Sequence, residues 1–212
     1  MSSVESRVKD QYNAQAQSYD HRWNRYINKT LTFLLGWAEI PVSAHILDVA
    51  CGTGELERLL LTDNLKQSIS GIDISEQMLA EARQKLKGFP NVTFKRGTAS
   101  QLPFPDRSFD IVVSASSFHY FPEPKKALAE VNRVLKPNGQ VIILDWCKDF
   151  LLCRLCDWFL KRFDPAHQQC YTEAEFHALL ENSGLRVQRS QRMRFDIIWG
   201  LMIAAASPKV DQ

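Results

Sequence analysis

The sequence lacks any apolar run long enough to cross a membrane. Across its 212 residues, the longest such stretch, 197–206, falls well short of the ~18 residues a transmembrane helix requires. The opening stretch, MSSVESRVKDQYNAQ, has no apolar centre and so does not read as a secretory signal; a cytoplasmic protein is expected. Net charge is nearly absent too. The 26 Lys and Arg against 24 Asp and Glu leave +2, too balanced for a phosphate-backbone binder, so no nucleic-acid partner is expected. Five cysteines are an odd number without any sign of export, and reduced thiols are the expectation. Neither repeats nor a low-complexity linker interrupt the chain. With 45% hydrophobic and 24% charged residues it is neither disordered nor collagen-like. Residues 1–212 read as one domain, large enough to bury roughly 70% of its unfolded surface without a metal or disulfide staple.

What is present is an alternation. Short apolar runs at 44–50, 68–73, 92–96, 109–114 and 140–145 read as strands. Between them, 55–61, 75–87 and 124–135 read as helices, the second opened by a Ser75 cap and the third stopped by Pro137-Asn138-Gly139. Such a cadence predicts an α/β fold, a doubly wound, mostly parallel sheet with helices on both faces. The ending differs. After a helix at 172–182, two β-like runs at 185–193 and 195–206 have almost nothing between them, which only an antiparallel hairpin permits. Residues 1–40 read as a helical lid and 146–171 as an apolar cap insert.

The loop Cys51-Gly52-Thr53-Gly54 follows a strand and opens a helix, where glycines allow a sharp turn and close ligand approach. A nicotinamide-dinucleotide loop calls for a third glycine where this chain has Glu57, and a phosphate-binding P-loop calls for GK[ST] where it has Gly54-Glu55. Glu55 and Glu57 in the first helical turn would also repel a pyrophosphate. The loop therefore suits a nucleoside without phosphates. Asp73, at the end of the second strand, is placed to accept both hydroxyls of a ribose. Thr98-Ala99-Ser100, Ser114–His119 and Asp145 end the later strands on the same sheet edge, where open α/β sheets bind ligands.

The segments LDVACGTG, GIDISEQML, GTASQLPFPDRSFDIVVSASSFHYF and LKPNGQVIILD, in that order, resemble the class I S-adenosylmethionine-dependent methyltransferases. The resemblance covers roughly residues 45–145 and is closest to the type-11 branch, which includes quinone-ring methyltransferases. It implies a Rossmann-like seven-stranded sheet with a reversed last strand, and S-adenosyl-L-methionine as cofactor. It also implies roles. The backbone around Ala50 and Gly52 would hold the methionine moiety, with Asp48 and Gly54 also binding cofactor, Asp73 would grip the ribose, and Ile74 and Met78 would sandwich the adenine. Thr98 and Ala99 would meet the adenine edge, the Ser114 carbonyl its amino group, and Tyr19 would be the lid residue near the methionine. Where the family often carries an acid, this chain has Thr98, whose hydroxyl accepts more weakly.

His119 follows the fourth strand and is the candidate base; alternatively it packs between Phe118 and Tyr120 and only shapes the pocket. Asp145 either faces the acceptor or caps the next turn. In the insert, Leu151, Leu152, Leu155, Trp158, Phe159 and Phe163 form an apolar arc, with Arg154, Asp157 and Lys161 opposite. That helix is expected to pack on the sheet, with a lid over the acceptor or a membrane-docking surface as alternatives. Cys153 and Cys156 form a CxxC near Cys147, His167 and Cys170, read as buried thiols and not as a metal or redox site. Trp23, Tyr26, Phe118, Tyr120, Trp158 and Phe159 are expected to line the acceptor pocket. The expected activity is methyl transfer to a small aromatic or apolar acceptor such as a quinol, with transient membrane-surface contact if that acceptor is lipid-soluble. The alternative is a non-catalytic protein that binds the cofactor or its demethylated product as an interaction scaffold.

Overall fold

A computed structural model describes residues 3–164, 166–195 and 200–209. Seven strands form one sheet: β1 (His45–Val49), β2 (Ser68–Asp73), β3 (Val92–Arg96), β4 (Phe109–Ala115), β5 (Leu135–Trp146), β6 (Leu185–Arg194) and β7 (Gly200–Pro208). Their spatial order is β3-β2-β1-β4-β5-β7-β6. The first five strands pair parallel, while β7 lies antiparallel between β5 and β6. The doubly wound sheet and its antiparallel ending are those expected from the sequence. The start of the last apolar run does not enter this comparison, because residues 196–199 lie outside those described.

Alternation along each strand splits the core into two layers. Val141 and Ile143 of β5 face a cluster with Leu128, Val131, Phe176 and Leu180, from α4 (Pro124–Val134) and α6 (Glu173–Asn182). Ile142 and Leu144 face the opposite cluster, with Leu31 and Leu34 of α1 (Ser3–Trp37) and Leu56 and Leu60 of α2 (Glu55–Asp63). Both sheet faces are therefore covered, as parallel sheets require. The helix starts follow their sequence signals. Ser75 accepts from Met78 N at 3.1 Å to open α3 (Glu76–Lys85), and Thr172 with Glu175 forms a capping box on α6.

Two expectations are revised. Pro137-Asn138-Gly139 lies within β5, whose pairing with β4 jumps from Leu135↔Phe109 to Gln140↔Ile111. Residues 136–139 bulge out opposite Asp110, and Lys136 Nζ holds that carboxylate at 2.8 Å. Where a helical lid was expected, α1 is one continuous helix that reaches Ser75, Thr53 and Ser116 at the carboxyl ends of the strands. The helix of the insert, α5 (Leu151–Phe163), has its apolar arc outward: Leu151, Leu155, Trp158, Phe159 and Phe163 are exposed, whereas Cys153 and Asp157 are buried. It does not pack on the sheet through that arc. Among the described residues no helix is long and apolar enough to cross a membrane.

Candidate active site

The carboxyl ends of β1, β2, β3 and β4 border a cleft of about 870 Å³, counting the open solvent at its mouth. Its floor is the glycine loop. Gly52 and Gly54 adopt left-handed backbone (φ 54° and 78°), as does Ala50 (φ 63°), a conformation a residue with a Cβ adopts only under strain. Space above Gly52 is open, with nothing within 4 Å of a built Cβ. The loop is fastened by Asp73, whose Oδ2 accepts from Gly52 N at 2.9 Å and Oδ1 from Ser75 N at 2.8 Å. Burial raises the Asp73 pKa, and the amides of Ser75, Gly52 and Ile74 oppose that rise.

The roof is α1. Asn13 accepts from Ser75 Oγ at 2.7 Å, and the Tyr26 hydroxyl meets Ser116 Oγ at 2.9 Å and accepts from Trp146 Nε1 at 2.8 Å. Tyr12, Tyr19 and Tyr120 converge over the cleft, with Tyr12 ring centroids 5.9 Å from Tyr19 and 5.6 Å from Tyr120. All three phenols are held neutral by burial, Tyr120 pushed up to about 12.

Eight of the residues expected at the site line this cleft together: Tyr19, Ala50, Gly52, Asp73, Ile74, Met78, Thr98 and Ala99. Four do not. Asp48 lies beneath the loop on a smaller adjoining pocket. Gly54 serves packing, since an added Cβ would sit 3.1 Å from that of Ala82 on α3. Ser114 is buried with its hydroxyl 2.8 Å from that of Ser117, leaving Ala115, Ser116 and Ser117 on the wall. His119 lies behind the wall, stacked on Trp146 at 4.2 Å with its Nδ1 2.6 Å from Asp145 Oδ1. Asp145 also accepts from the His119 amide at 2.9 Å, so it caps this turn and does not face the cleft. Of the six aromatics expected around an acceptor, only Tyr120 lines the cleft; Phe118 is core, Tyr26 is on the smaller pocket, and Trp23, Trp158 and Phe159 are exposed.

Sequence reasoning missed Glu5 and Tyr12. A signal was present: Glu5, Tyr12, Tyr19 and Tyr26 recur every seven residues, which on one helix places them along one stripe.

A methyltransferase domain family matches residues 47–143. The uncharacterized methyltransferase YcgJ of Bacillus subtilis is 30% identical over 186 residues, covering 86% of this chain and 73% of that protein. The chain belongs to the class I S-adenosylmethionine-dependent methyltransferases, type-11 branch. A demethylmenaquinone methyltransferase of Bacillus licheniformis is 34% identical over 138 residues, 64% of this chain and 56% of that one, so this methyltransferase spans little more than half of that relative. In fold it is similar to a chain of the Haloferax volcanii complex between the Trm112 methyltransferase activator and a methyltransferase (TM-score 0.85, 20% identity, covering 97% and 99% of the two chains).

The residues present fit S-adenosylmethionine. The open space over Gly52, the carboxylate at the end of β2 and the apolar side chains of Ile74 and Met78 on one cleft wall match a nucleoside with an amino-acid arm. Repulsion of a pyrophosphate is not what selects it. Glu55 is ion-paired to Lys85 and Arg58, and Glu57 is fully buried with both carboxylate oxygens unpartnered. Burial raises Glu57 to about 8, against the opposing pull of Lys85.

Glu57 thus keeps its proton in the fold over a range where the unfolded chain has lost it. The unfolded state then binds fewer protons, so stability falls as pH rises from about 4.5 to about 8 and levels off above. Glu57→Gln removes that slope. In thermal unfolding followed from pH 5 to pH 9, the variant should match the parent at pH 5 and exceed it by about 4 kcal/mol at pH 9; a constant difference across the range would refute this protonation state.

Proposed function

We propose that this methyltransferase acts on a small, apolar ring acceptor of the quinol type, drawn from a membrane surface. The observation that carries the reading is the neutral aromatic wall of Tyr12, Tyr19 and Tyr120 over a cleft whose other end is fixed by Asp73. The likeness to a demethylmenaquinone methyltransferase supports it, and so does the exposed apolar arc of α5. Leu151, Leu155, Trp158, Phe159 and Phe163 face outward, with Lys161 and Arg162 in the last turn, the composition of a helix that lies in a lipid interface.

S-adenosylmethionine supplies an electrophilic methyl group. The protein's part is mostly placement, since alignment of two reactants can supply about 7–11 kcal/mol of the barrier. Asp73 grips the ribose, Ile74 and Met78 hold the adenine faces, Thr98 and Ala99 meet its edge, and the backbone at Ala50 and Gly52 receives the methionine arm. Glu5 compensates for the missing acid at position 98: Ser100 Oγ donates to its Oε1 at 3.4 Å, which brings a carboxylate from the lid to the Thr98 side. Tyr19 closes the methionine end. The tyrosines exclude water and leave an apolar slot for the acceptor. His119 acts by positioning: its ring packs 4.2 Å from that of Tyr120 and does not border the cleft.

Calorimetry should show binding of S-adenosylmethionine or its demethylated product, weakened roughly ten- to hundred-fold by Asp73→Ala, the scale of about 1.5–3 kcal/mol for a lost charged hydrogen bond. Label from a radioactive methyl donor should reach a quinol; label found only on hydrophilic metabolites would overturn the acceptor assignment. His119→Gln should lower thermal stability, keep cofactor affinity within a few-fold and leave the pH profile of turnover in place, whereas a vanished pH limb would restore it as a base. Liposomes carrying anionic lipid should co-sediment the protein, and Trp158→Ser with Phe159→Ser should abolish this without altering cofactor affinity. Equal sedimentation of parent and variant would remove the membrane role.

A further inference from the structure

Along its length α1 meets the strand ends in their spatial order. Glu5 reaches Ser100 after β3, Asn13 takes the Ser75 hydroxyl after β2, Asp20 takes that of Thr53 after β1, and Tyr26 meets Ser116 after β4. The cofactor contacts proposed above use the first three of these stations. Tyr19, Ala50, Gly52, Ala115 and Ser116 border both the cleft and the smaller pocket beside it. Ser116 therefore stands next to the residues assigned to the methionine arm, at the end that carries the reactive sulfonium.

Ser116 takes a conformation that suits glycine better. Its backbone is left-handed (φ 54°), which a residue with a Cβ adopts only at a cost in free energy. The turn itself needs only the Ser116 amide, which donates to the Leu144 carbonyl at 2.7 Å. What a glycine would not supply is the hydroxyl. Ser116 Oγ lies 2.9 Å from the Tyr26 hydroxyl, whose oxygen accepts from Trp146 Nε1 at 2.8 Å. A serine hydroxyl offers one hydrogen and two lone pairs, so the bond to Tyr26 leaves Ser116 able to bond a ligand in the cleft. The neighbouring hydroxyls of Ser114 and Ser117 are bonded to each other and both residues are buried. Burial raises the Tyr26 pKa and keeps its phenol neutral, so the pair offers an uncharged hydrogen bond.

We propose that Ser116 receives a hydroxyl group of the methyl acceptor and so sets which ring atom faces the methyl donor. On the ring-acceptor reading, on which this rests, the substrates narrow to hydroxylated rings, phenols and quinols, in preference to their ethers. Tyr26 is a positioning residue: anchored by Trp146, it holds the Ser116 side chain at the methionine end of the cleft. A site of this kind discriminates because its own polar group goes unpaired when the analogue lacks the matching hydrogen. An apolar wall alone does the reverse and favours the ether, the more apolar of the two.

The probes are 1-naphthol and 1-methoxynaphthalene, titrated by calorimetry into protein saturated with the demethylated cofactor. The parent should bind the naphthol about five- to ten-fold more tightly than the ether, the scale of one neutral hydrogen bond. Ser116→Ala should bind the two alike. Ser116→Gly, whose backbone takes the left-handed turn without strain, should lose the preference as fully, which separates loss of the hydroxyl from distortion of the turn. Both variants should keep the parent's affinity for the demethylated cofactor, and Ser117→Ala should keep the preference. Equal binding of the two probes by the parent, a preference that survives in Ser116→Gly, or one that vanishes in Ser117→Ala overturns the proposal and leaves the ring acceptor standing. Failure of both probes to bind the parent removes the ring acceptor and the role of Ser116 with it.

Discussion

The site depends on one buried carboxylate. Asp73 ends β2, yet its oxygens are spent on the amides of Gly52, after β1, and Ser75, at the start of α3. Those two bonds tie neighbouring strand ends together and fix a loop whose backbone is left-handed at Ala50, Gly52 and Gly54. Such a loop is strained at Ala50 and holds only where its surroundings over-determine it. Each carboxylate oxygen has more than one lone-pair direction, so Asp73 can hold the loop and still accept from a ligand hydroxyl.

The lid completes what the sheet leaves open. A 35-residue helix with few buried apolar side chains would gain little by packing alone, and here the docking is polar. Asn13, Asp20 and Tyr26 each engage a hydroxyl at a strand end or in the glycine loop: Ser75, Thr53 and Ser116. Such bonds, each worth about 1 kcal/mol net, can be exchanged for water. A roof held this way can lift to admit cofactor, whereas one held by a continuous apolar seam would not.

The sheet, its winding and its antiparallel ending were legible in the sequence because strands buried on both faces read as unbroken apolar runs and the turns carry Gly and Asp at fixed offsets. Gly52, Asp73, Thr98 and Ala99 followed from those offsets, since a residue at a strand end is placed by topology before any side chain is considered, whereas Tyr19, Ala50, Ile74 and Met78 came from the family resemblance. His119 falls in a short 3-10 turn that aims its ring away from the cleft, and no pattern in SASSFHY fixes that rotation. Tyr12 and Glu5 were missed because a stripe of one residue in seven is faint beside a strand signal.

The inverted helix α5 is the sharpest departure, and it follows from two energies acting together. An apolar arc of this size normally turns inward, since burying one such side chain is worth about 1.5–3 kcal/mol. Here the inward side carries Asp157, which gathers Cys170 N, His167 and Lys161. Removing one member of a buried charged network of this kind costs about 3–5 kcal/mol, so rotating the helix would strand Asp157 without hydrogen bonds. That penalty alone does not outweigh six exposed large apolar residues. The orientation is therefore favourable only if something covers the arc. A lipid surface of the kind proposed for α5 would supply that cover.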